Sequence, residues 1–307
     1  MTAKSKRGVD KKYLFRRGMF CFFLLLLFVL AFYFLFKPSH PEESLIERLF
    51  GEYKLIFFHS DEIEVAEEVE RAKWDSDLFI TDADGRVFYN DPNVVTCTGI
   101  DVSSFQGEID WKKVKESGID FVFIRAGYRG NTEGGLYVDP SFETNYQGAR
   151  EVGLPIGVYF FSQAISEEEA AEEADYVVSI IGNRTIDLPI VFDWEYVSEA
   201  ARTAGISSTT MSNCAHAFCN RVSQRGYDSM VYFNLYTSYM IYDMSSFGNN
   251  KIWIAQFAEK PTYYYHYEMW QYSCTGTVPG ISTEVDLNIA LDQTLVDMIN
   301  KWFFTKV

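Results

Sequence analysis

Cysteine, histidine and positive charge are all scarce in this chain, and each shortage excludes something. None of the five cysteines shows metal-site spacing. The four histidines are scattered, with no H-E-x-x-H pattern, so neither a zinc site nor any other bound metal or cofactor is expected. Net charge is −16. Residues 1–37 hold eight Lys/Arg against one Asp, a surplus of +7, which leaves −23 for the remainder. So acidic a body excludes nucleic acid as a partner, because the phosphates would repel it. There is also no internal repeat and no low-complexity tract.

The chain does hold 307 residues, enough for one large barrel or two modest domains. Hydrophobic residues make up 48% and aromatics 17%, so a sizeable core is available. Core packing accounts for most of those aromatics. The excess also suits carbohydrate, whose rings stack on flat side chains.

The basic end precedes an uncharged run from Met19 to Phe36. As a helix, this run spans about 27 Å, close to the hydrocarbon thickness of a bilayer. Lys4, Lys6, Arg7, Lys11, Lys12, Arg16 and Arg17 precede it, and only Lys37 follows closely. The positive-inside rule therefore predicts a cytoplasmic tail over 1–18 and a single-pass anchor over 19–36 in contact with the lipid bilayer. Everything beyond is expected outside the cell membrane. A cleaved signal peptide is the competing reading, but it needs a shorter core and a small-x-small site. Here Ala31 is followed by Phe-Tyr-Phe-Leu-Phe.

Residues 37–96 read as an extracytoplasmic linker and a small α+β accessory segment. Helices are expected over Glu42–Phe50 and Asp61–Lys73, and strands over Tyr53–His59, Leu78–Thr81 and Val87–Tyr89. Asp84-Gly85 reads as the turn between the last two. Asp82-x-Asp84-Gly85 resembles a calcium loop, but the remaining ligands are missing, so the turn is the better reading.

From residue 97 to 307 short apolar strands alternate with helical patterns. Strands are expected at Gly99–Val102, Phe121–Ala126, Ile156–Phe161, Ile190–Asp193, Val231–Leu235, Ile252–Ala255, Met269–Tyr272 and Val285–Leu287. Helices are expected at Trp111–Ser117, Pro140–Val152, Glu167–Ile181 and Thr209–Arg225. The alternation predicts an α/β fold with a parallel sheet, and eight strands suggest a TIM-like β/α barrel. Connections shorten in the last third, so the barrel is expected to be irregular. Cys214 and Cys219 diverge around one helix and read as small buried side chains. Cys97 precedes the first barrel strand and Cys274 follows the seventh. They are either a bridge across the barrel seam or two free thiols, because Cα separation decides.

The chemistry concentrates where strands end in acid. Pro189-Ile190-Val191-Phe192 runs into Asp193-Trp194-Glu195, and alternation puts Asp193 and Glu195 on one face. Two neighbouring carboxylates repel, which raises one pKa and suits a proton donor beside a charged partner. Taken alone, D-x-E at a strand end reads more simply as loop capping. But Asp101 ends the first strand and Asp286 lies on the last, and a closed barrel makes those strands neighbours. Active sites of such barrels gather at one mouth.

Several motifs in order then resemble the glycoside hydrolase family 25 lysozymes. They are Gly99-Ile100-Asp101-Val102-Ser103, Gln106-Gly107, Ile109-Asp110-Trp111, Phe123-Ile124-Arg125-Ala126-Gly127-Tyr128 and Gly157-Val158-Tyr159-Phe160-Phe161. Phe192-Asp193-Trp194-Glu195, Trp270-Gln271-Tyr272 and Val285-Asp286-Leu287-Asn288 complete the set. The match covers about residues 97–290. It implies an irregular β/α barrel acting on peptidoglycan glycan strands, cleaving the β-1,4 bond between N-acetylmuramic acid and N-acetylglucosamine with retained configuration. By the same resemblance Glu195 is the general acid/base and Asp193 stabilises positive charge near the 2-acetamido group. Asp101 and Asp286 shape the pocket and its protons. Phe257 is a departure, standing where the family often carries an aromatic hydroxyl.

Tyr128, Tyr159, Tyr232, Trp253 and Trp270 lie at or near strand ends and read either as lining a sugar groove or as core. Gln271 bonds a sugar hydroxyl or a neighbouring backbone. Arg125 pairs with a site acid or forms a structural ion pair. Asn288 steadies Asp286 or caps a helix. Two rival functions stand beside the muramidase reading. A chitinase-like hydrolase also uses D-x-E, but the lead into Asp193 lacks that group's acidic and glycine residues. A wall-binding or scaffolding module without turnover would be marked by a missing acid, and none is missing.

Overall fold

The computed structural model describes residues 55–58 and 61–304. The basic tail, the expected span at 19–36 and the expected helix at 42–50 lie outside the described residues. Among those described, no helix is long and apolar enough to cross a membrane. The chain divides into two units, residues 1–65 and 66–307.

In the first unit β1 (Leu55–Phe58) and β2 (Asp61–Glu64) form an antiparallel hairpin, with Phe58 opposite Asp61 and Leu55 opposite Glu64. This corrects the helix expected over Asp61–Lys73. The Glu and Ala of that stretch favour helix only weakly, and backbone pairing overrides them. Farther along, in the second unit, the pairing is again extended. His266 N donates to Glu70 O (2.6 Å) and Ala72 N to Tyr264 O (2.8 Å).

β3 (Phe79–Thr81) and β4 (Val87–Tyr89) form the expected second hairpin. Asp82 Oδ1 accepts from the backbone N–H groups of Asp84 and Arg86, each at 2.9 Å, and Gly85 takes a φ of 78°. Asp82 thus acts as a turn residue, and Gly85 supplies the left-handed position. Phe79 packs edge-on against Trp270 with ring centres 5.2 Å apart. The accessory hairpin therefore leans on the flank of the barrel.

The barrel strands are β5 (Cys97–Val102), β6 (Phe121–Arg129), β8 (Ile156–Ser162), β9 (Ile190–Trp194), β10 (Ser229–Asn234), β11 (Ile252–Ala255), β12 (Met269–Gly276) and β13 (Val285–Ala290). An unanticipated ninth strand, β7 (Leu136–Val138), adds antiparallel to β6. Neighbours run β5-β13-β12-β11-β10-β9-β8-β6, and β5 pairs with β6 to close the ring. From β5 through β12 the ring is parallel, but β13 runs antiparallel to both its neighbours. The expectation of an all-parallel sheet is corrected there: a short link from β12 has no room for a crossover helix, and such a link reverses the chain.

The helices are α1 (Trp111–Glu116), α2 (Phe142–Glu151), α3 (Glu167–Ile181), α4 (Ser208–Gln224) and α5 (Gln293–Phe304). The first four fall within two residues of their expected bounds; α5 was not anticipated. Ser166 and Ser207 cap α3 and α4 by accepting from the N–H groups of Glu169 and Thr210. Glu167, Glu168 and Glu169 sit in the first turn of α3, where the helix dipole favours negative charge. After β10 the crossovers shrink to a π turn at Thr237–Ile241 and a 3-10 turn at Met244–Ser246. The irregularity expected of the last third is present.

Phe121, Phe123, Val191, Met230, Trp253 and Met269 form the buried barrel interior. A Cβ at Gly157 would collide with the Phe123 ring, so glycine makes the room that the ring fills. Removing such a ring costs about 3–5 kcal/mol. Leu295, Val296 and Ile299 of α5 join the same cluster beside Cys97 and Ala290. α5 thus plugs the barrel end at which β5 begins and leaves the other end open.

Cys97 and Cys274 are free, the first buried and the second exposed. Cys97 lies at the plugged end, whereas Cys274 lines the cavity at the open end together with Asp101. Four residues of β5 separate those levels, about 13 Å at a strand's rise, well beyond disulfide reach. Cys214 and Cys219 are buried on α4, as expected.

Candidate active site

Alternation along each strand aims the acids inward. On β9, Val191 enters the barrel core and Asp193 follows two residues later, while Trp194 is buried on the other side. Glu195 is the first residue beyond the strand. Asp101 comes from the end of β5 and Asp286 from the start of β13. The antiparallel ladder sets Asp286 directly opposite Asp101. The reversal of β13 is what brings its first residues to the mouth where the other strands end.

All four acids line one cavity of about 350 Å³ with Arg125, Tyr159, Tyr232, Trp253 and Gln271. A second cavity of about 440 Å³ shares Glu195, Tyr232 and Phe257 with it. Glu195 therefore stands at the junction of two adjoining hollows. Phe105 and Phe257 are the exposed rings of the first, at 77% and 56% accessibility.

The acids are arranged in two pairs. Asp101 Oδ2 accepts from Gln271 Nε2 (2.9 Å) and Asn288 Nδ2 (2.8 Å). Tyr232 OH donates to Gln271 Oε1 (3.0 Å), and Trp253 Nε1 to Asn288 Oδ1 (2.9 Å), which fixes both amides. Burial pushes Asp101 up to about 6 even though those donors and Asp286 favour its charged form. Burial, the nearby Asp101 and Glu195 charges and a hydrogen bond with Asp101 push Asp286 up to about 8. Asp286 thus keeps the proton that the pair shares. Asp193 is raised well above the usual carboxylate range by burial, then by Glu195 and Asp101, with Arg125 opposing. One of its oxygens, Oδ1, is buried with no partner. Glu195 is raised by burial and by Asp101. Half-buried between the hollows, it is a carboxyl whose proton is held more tightly than usual and which still meets solvent.

Tyr159, Tyr232, Trp253 and Gln271 gather at the cavity, as does Arg125. Arg125 Nε donates to buried Asp139 (2.7 Å) and Nη2 to Ser104 (3.1 Å), so it is a structural ion pair that also faces the acids. Gln271 and Asn288 both donate to Asp101, a partner expected for neither, and Gln271 lines the cavity as well. Trp270 is not at the cavity: its indole N–H bonds Gln256 O (2.8 Å) and its ring meets Phe79 outside the barrel. Tyr128 sits one step removed, over Arg125 and stacked on Tyr137. A bulge between Arg125 and Gly127 brings it to that face. Tyr137 O leaves no space for a Cβ at Gly127.

Sequence reasoning missed Phe161, two residues after Tyr159 on the same strand face, and period two would have found it. It also missed Phe105, whose ring lies 4.9 Å from the Arg125 guanidinium. Asp139 carried no local signal, and Ser103 and Cys274 were singled out only as a motif residue and a possible bridge partner.

An acid-lined mouth on a β/α barrel, with a carboxyl of raised pKa between two hollows, is the kind of arrangement that cleavage of a glycosidic bond requires. The chain belongs to the glycosyl hydrolases family 25, whose sequence profile matches residues 100–281. It is 33% identical over 192 residues to the autolytic lysozyme of Clostridium acetobutylicum, covering 62% of this chain and 54% of that one. It is 34% identical over 205 residues to lysozyme M1 of Streptomyces globisporus, covering 62% and 66%. The chain thus spans between half and two thirds of the length of these curated relatives. The crystal structure of the bacterial lysozyme from Streptomyces coelicolor superposes with a TM-score of 0.55 at 29% identity, covering 69% of this chain and 100% of that one.

Proposed function

We propose that this protein is a muramidase that cuts the β-1,4 bond between N-acetylmuramic acid and N-acetylglucosamine in peptidoglycan glycan strands, with retention. The observation that carries the reading is Glu195, a half-buried carboxyl with a raised pKa at the junction of two hollows. Sugar rings in the two hollows put the bond between them beside Glu195. Glu195 gives its proton to the bridging oxygen as the bond to the anomeric carbon breaks. Positive charge then develops on the sugar beside Asp193, Asp101 and Asp286. Protonated acids in a buried cluster become easier to ionise as that charge appears, so the cage favours the transition state over the ground state. Water completes the reaction with Glu195 as base. Whether a carboxylate or the 2-acetamido group covers the anomeric carbon in between, two inversions return the original configuration. The likeness to the lysozymes of Clostridium acetobutylicum and Streptomyces globisporus supports this substrate.

Residues 19–36 are proposed as the anchor, with the N-terminus cytoplasmic and the barrel outside, facing the wall. Incubation with purified sacculi and mass analysis of the fragments tests the activity. Fragments with reducing-end N-acetylmuramic acid are expected. Reducing-end N-acetylglucosamine, or no release, overturns the reading.

A further inference from the structure

Gln163 follows β8 directly and is fully buried. Its side chain is committed to the loop that carries Glu195. Nε2 donates to Glu195 O (3.1 Å) and to Ser162 O (2.8 Å). Oε1 accepts from Thr203 Oγ1 (2.9 Å). Its backbone carbonyl accepts from Arg202 Nη1 (3.0 Å), and Arg202 grips Glu169 through two bonds of 2.7 Å. The Arg202 N–H also donates to Asn131 O (2.8 Å). One buried amide therefore ties the loop at its first residue and again at Thr203, and it leaves neither of its own polar atoms unpaired. Glu195 needs such a tie, because β9 ends at Trp194 and the strand ladder stops there.

We propose that Gln163 is a positioning residue for Glu195: its amide N–H holds the Glu195 backbone so that the carboxyl meets the bond to be cut. The inference rests on the reading of Glu195 as general acid. A proton donor displaced by about 1 Å can lose about a hundredfold in rate while the substrate still binds. A residue that only supports folding lowers the amount of native enzyme and leaves its kcat unchanged.

Three variants of the full chain in detergent separate these outcomes on soluble glycan strands, with rates normalised to the folded fraction from circular dichroism. Gln163→Met keeps the shape and removes the donor. We expect kcat down by about ten- to a hundredfold with KM within about twofold. Gln163→Glu has the donor only when its carboxyl is protonated. We expect its kcat to approach wild type at low pH and to fall away in one step as pH rises, a step absent from the wild type. Glu195→Gln is the reference and is expected to lose about a hundred- to ten-thousandfold in turnover. Wild-type kcat in Gln163→Met, a loss confined to KM, or a Gln163→Glu profile without the step overturns the positioning role and leaves the muramidase reading intact. An inactive wild type, or near-normal turnover in Glu195→Gln, overturns that reading and this inference with it. If Gln163→Met does not fold, the pH step of Gln163→Glu decides alone.

Discussion

Asp286 faces Asp101 across the antiparallel ladder of β13 and β5, and their carboxyls share a hydrogen bond. A parallel last strand would carry Asp286 to the opposite end of the barrel, beside the α5 plug. Reversing one strand thus completes the acid cage. The cage in turn forces protons to stay, because adjacent buried carboxylates cannot all ionise.

That retention sets how stability varies with pH. Asp101 rises from 3.8 to about 6 and Asp286 from 3.8 to about 8 on folding. The native state therefore binds more protons than the unfolded chain across this window, so stability falls as pH rises from near 4 toward 8. Thermal unfolding should give a higher Tm at pH 5 than at pH 8. Asp286→Asn should flatten that fall. An unchanged slope in the variant would remove Asp286 as its source.

Glu195→Gln should keep the fold and still bind glycan, because the amide preserves shape and loses only the acid. Turnover should fall by about a hundred- to ten-thousandfold, the usual worth of a positioned proton donor. Reducing-end release and a glycan pull-down measure the two properties separately. Near-normal release would end the assignment of Glu195.

The barrel was legible because its signals are local. Apolar runs such as Phe121–Ala126 and helix starts such as Ser166 before three glutamates need no tertiary information. Direction does not appear in such patterns; the short link after β12 was the one sign that β13 reverses, and the parallel expectation overrode it. Side choice was partly legible: Trp270 and Gln271 are consecutive on a strand and cannot both face the cavity, and alternation alone would have sent one outward. Tyr128 defeated the same rule in the other direction, through the bulge at Gly127. The Asp61–Lys73 stretch carried a composition that favours helix; Asp61–Glu64 pairs locally with β1, but Glu70 and Ala72 pair with His266 and Tyr264, about two hundred residues away. No window along the chain could have found them.

The anchor makes a topological prediction. Protease added to intact cells stripped of their wall should remove the barrel and leave a short basic fragment with the membrane. A protected barrel, or a secreted form beginning near residue 32, would argue for a different arrangement of residues 19–36.

Phe257 is a ring, 56% exposed, shared by both hollows. Stacking on a sugar needs the ring face and not a hydroxyl, so Phe257→Tyr should change KM by less than about twofold. Phe257→Ala removes the platform and should raise KM several-fold, equivalent to about 1 kcal/mol, with little effect on kcat. An alanine variant with wild-type KM would show that the sugar does not rest there.

Cys274 is exposed and lines the acid cavity, whereas Cys97 is buried at the plugged end with its thiol pushed up to about 12. The thiolate is the reactive form; burial and Asp286 raise the Cys274 thiol too, so it is chiefly exposure that directs an alkylating reagent to Cys274 rather than Cys97. Treatment of the native protein with a maleimide should label Cys274 well before Cys97, as a peptide map would show. The adduct would occupy space beside Asp286, so glycan release should fall in step with labelling. Cys274→Ser should keep its activity and escape the inhibition. Inhibition that persists in Cys274→Ser would place the sensitive thiol elsewhere, and full activity after complete labelling would mean that the sugar does not use that side of the cavity.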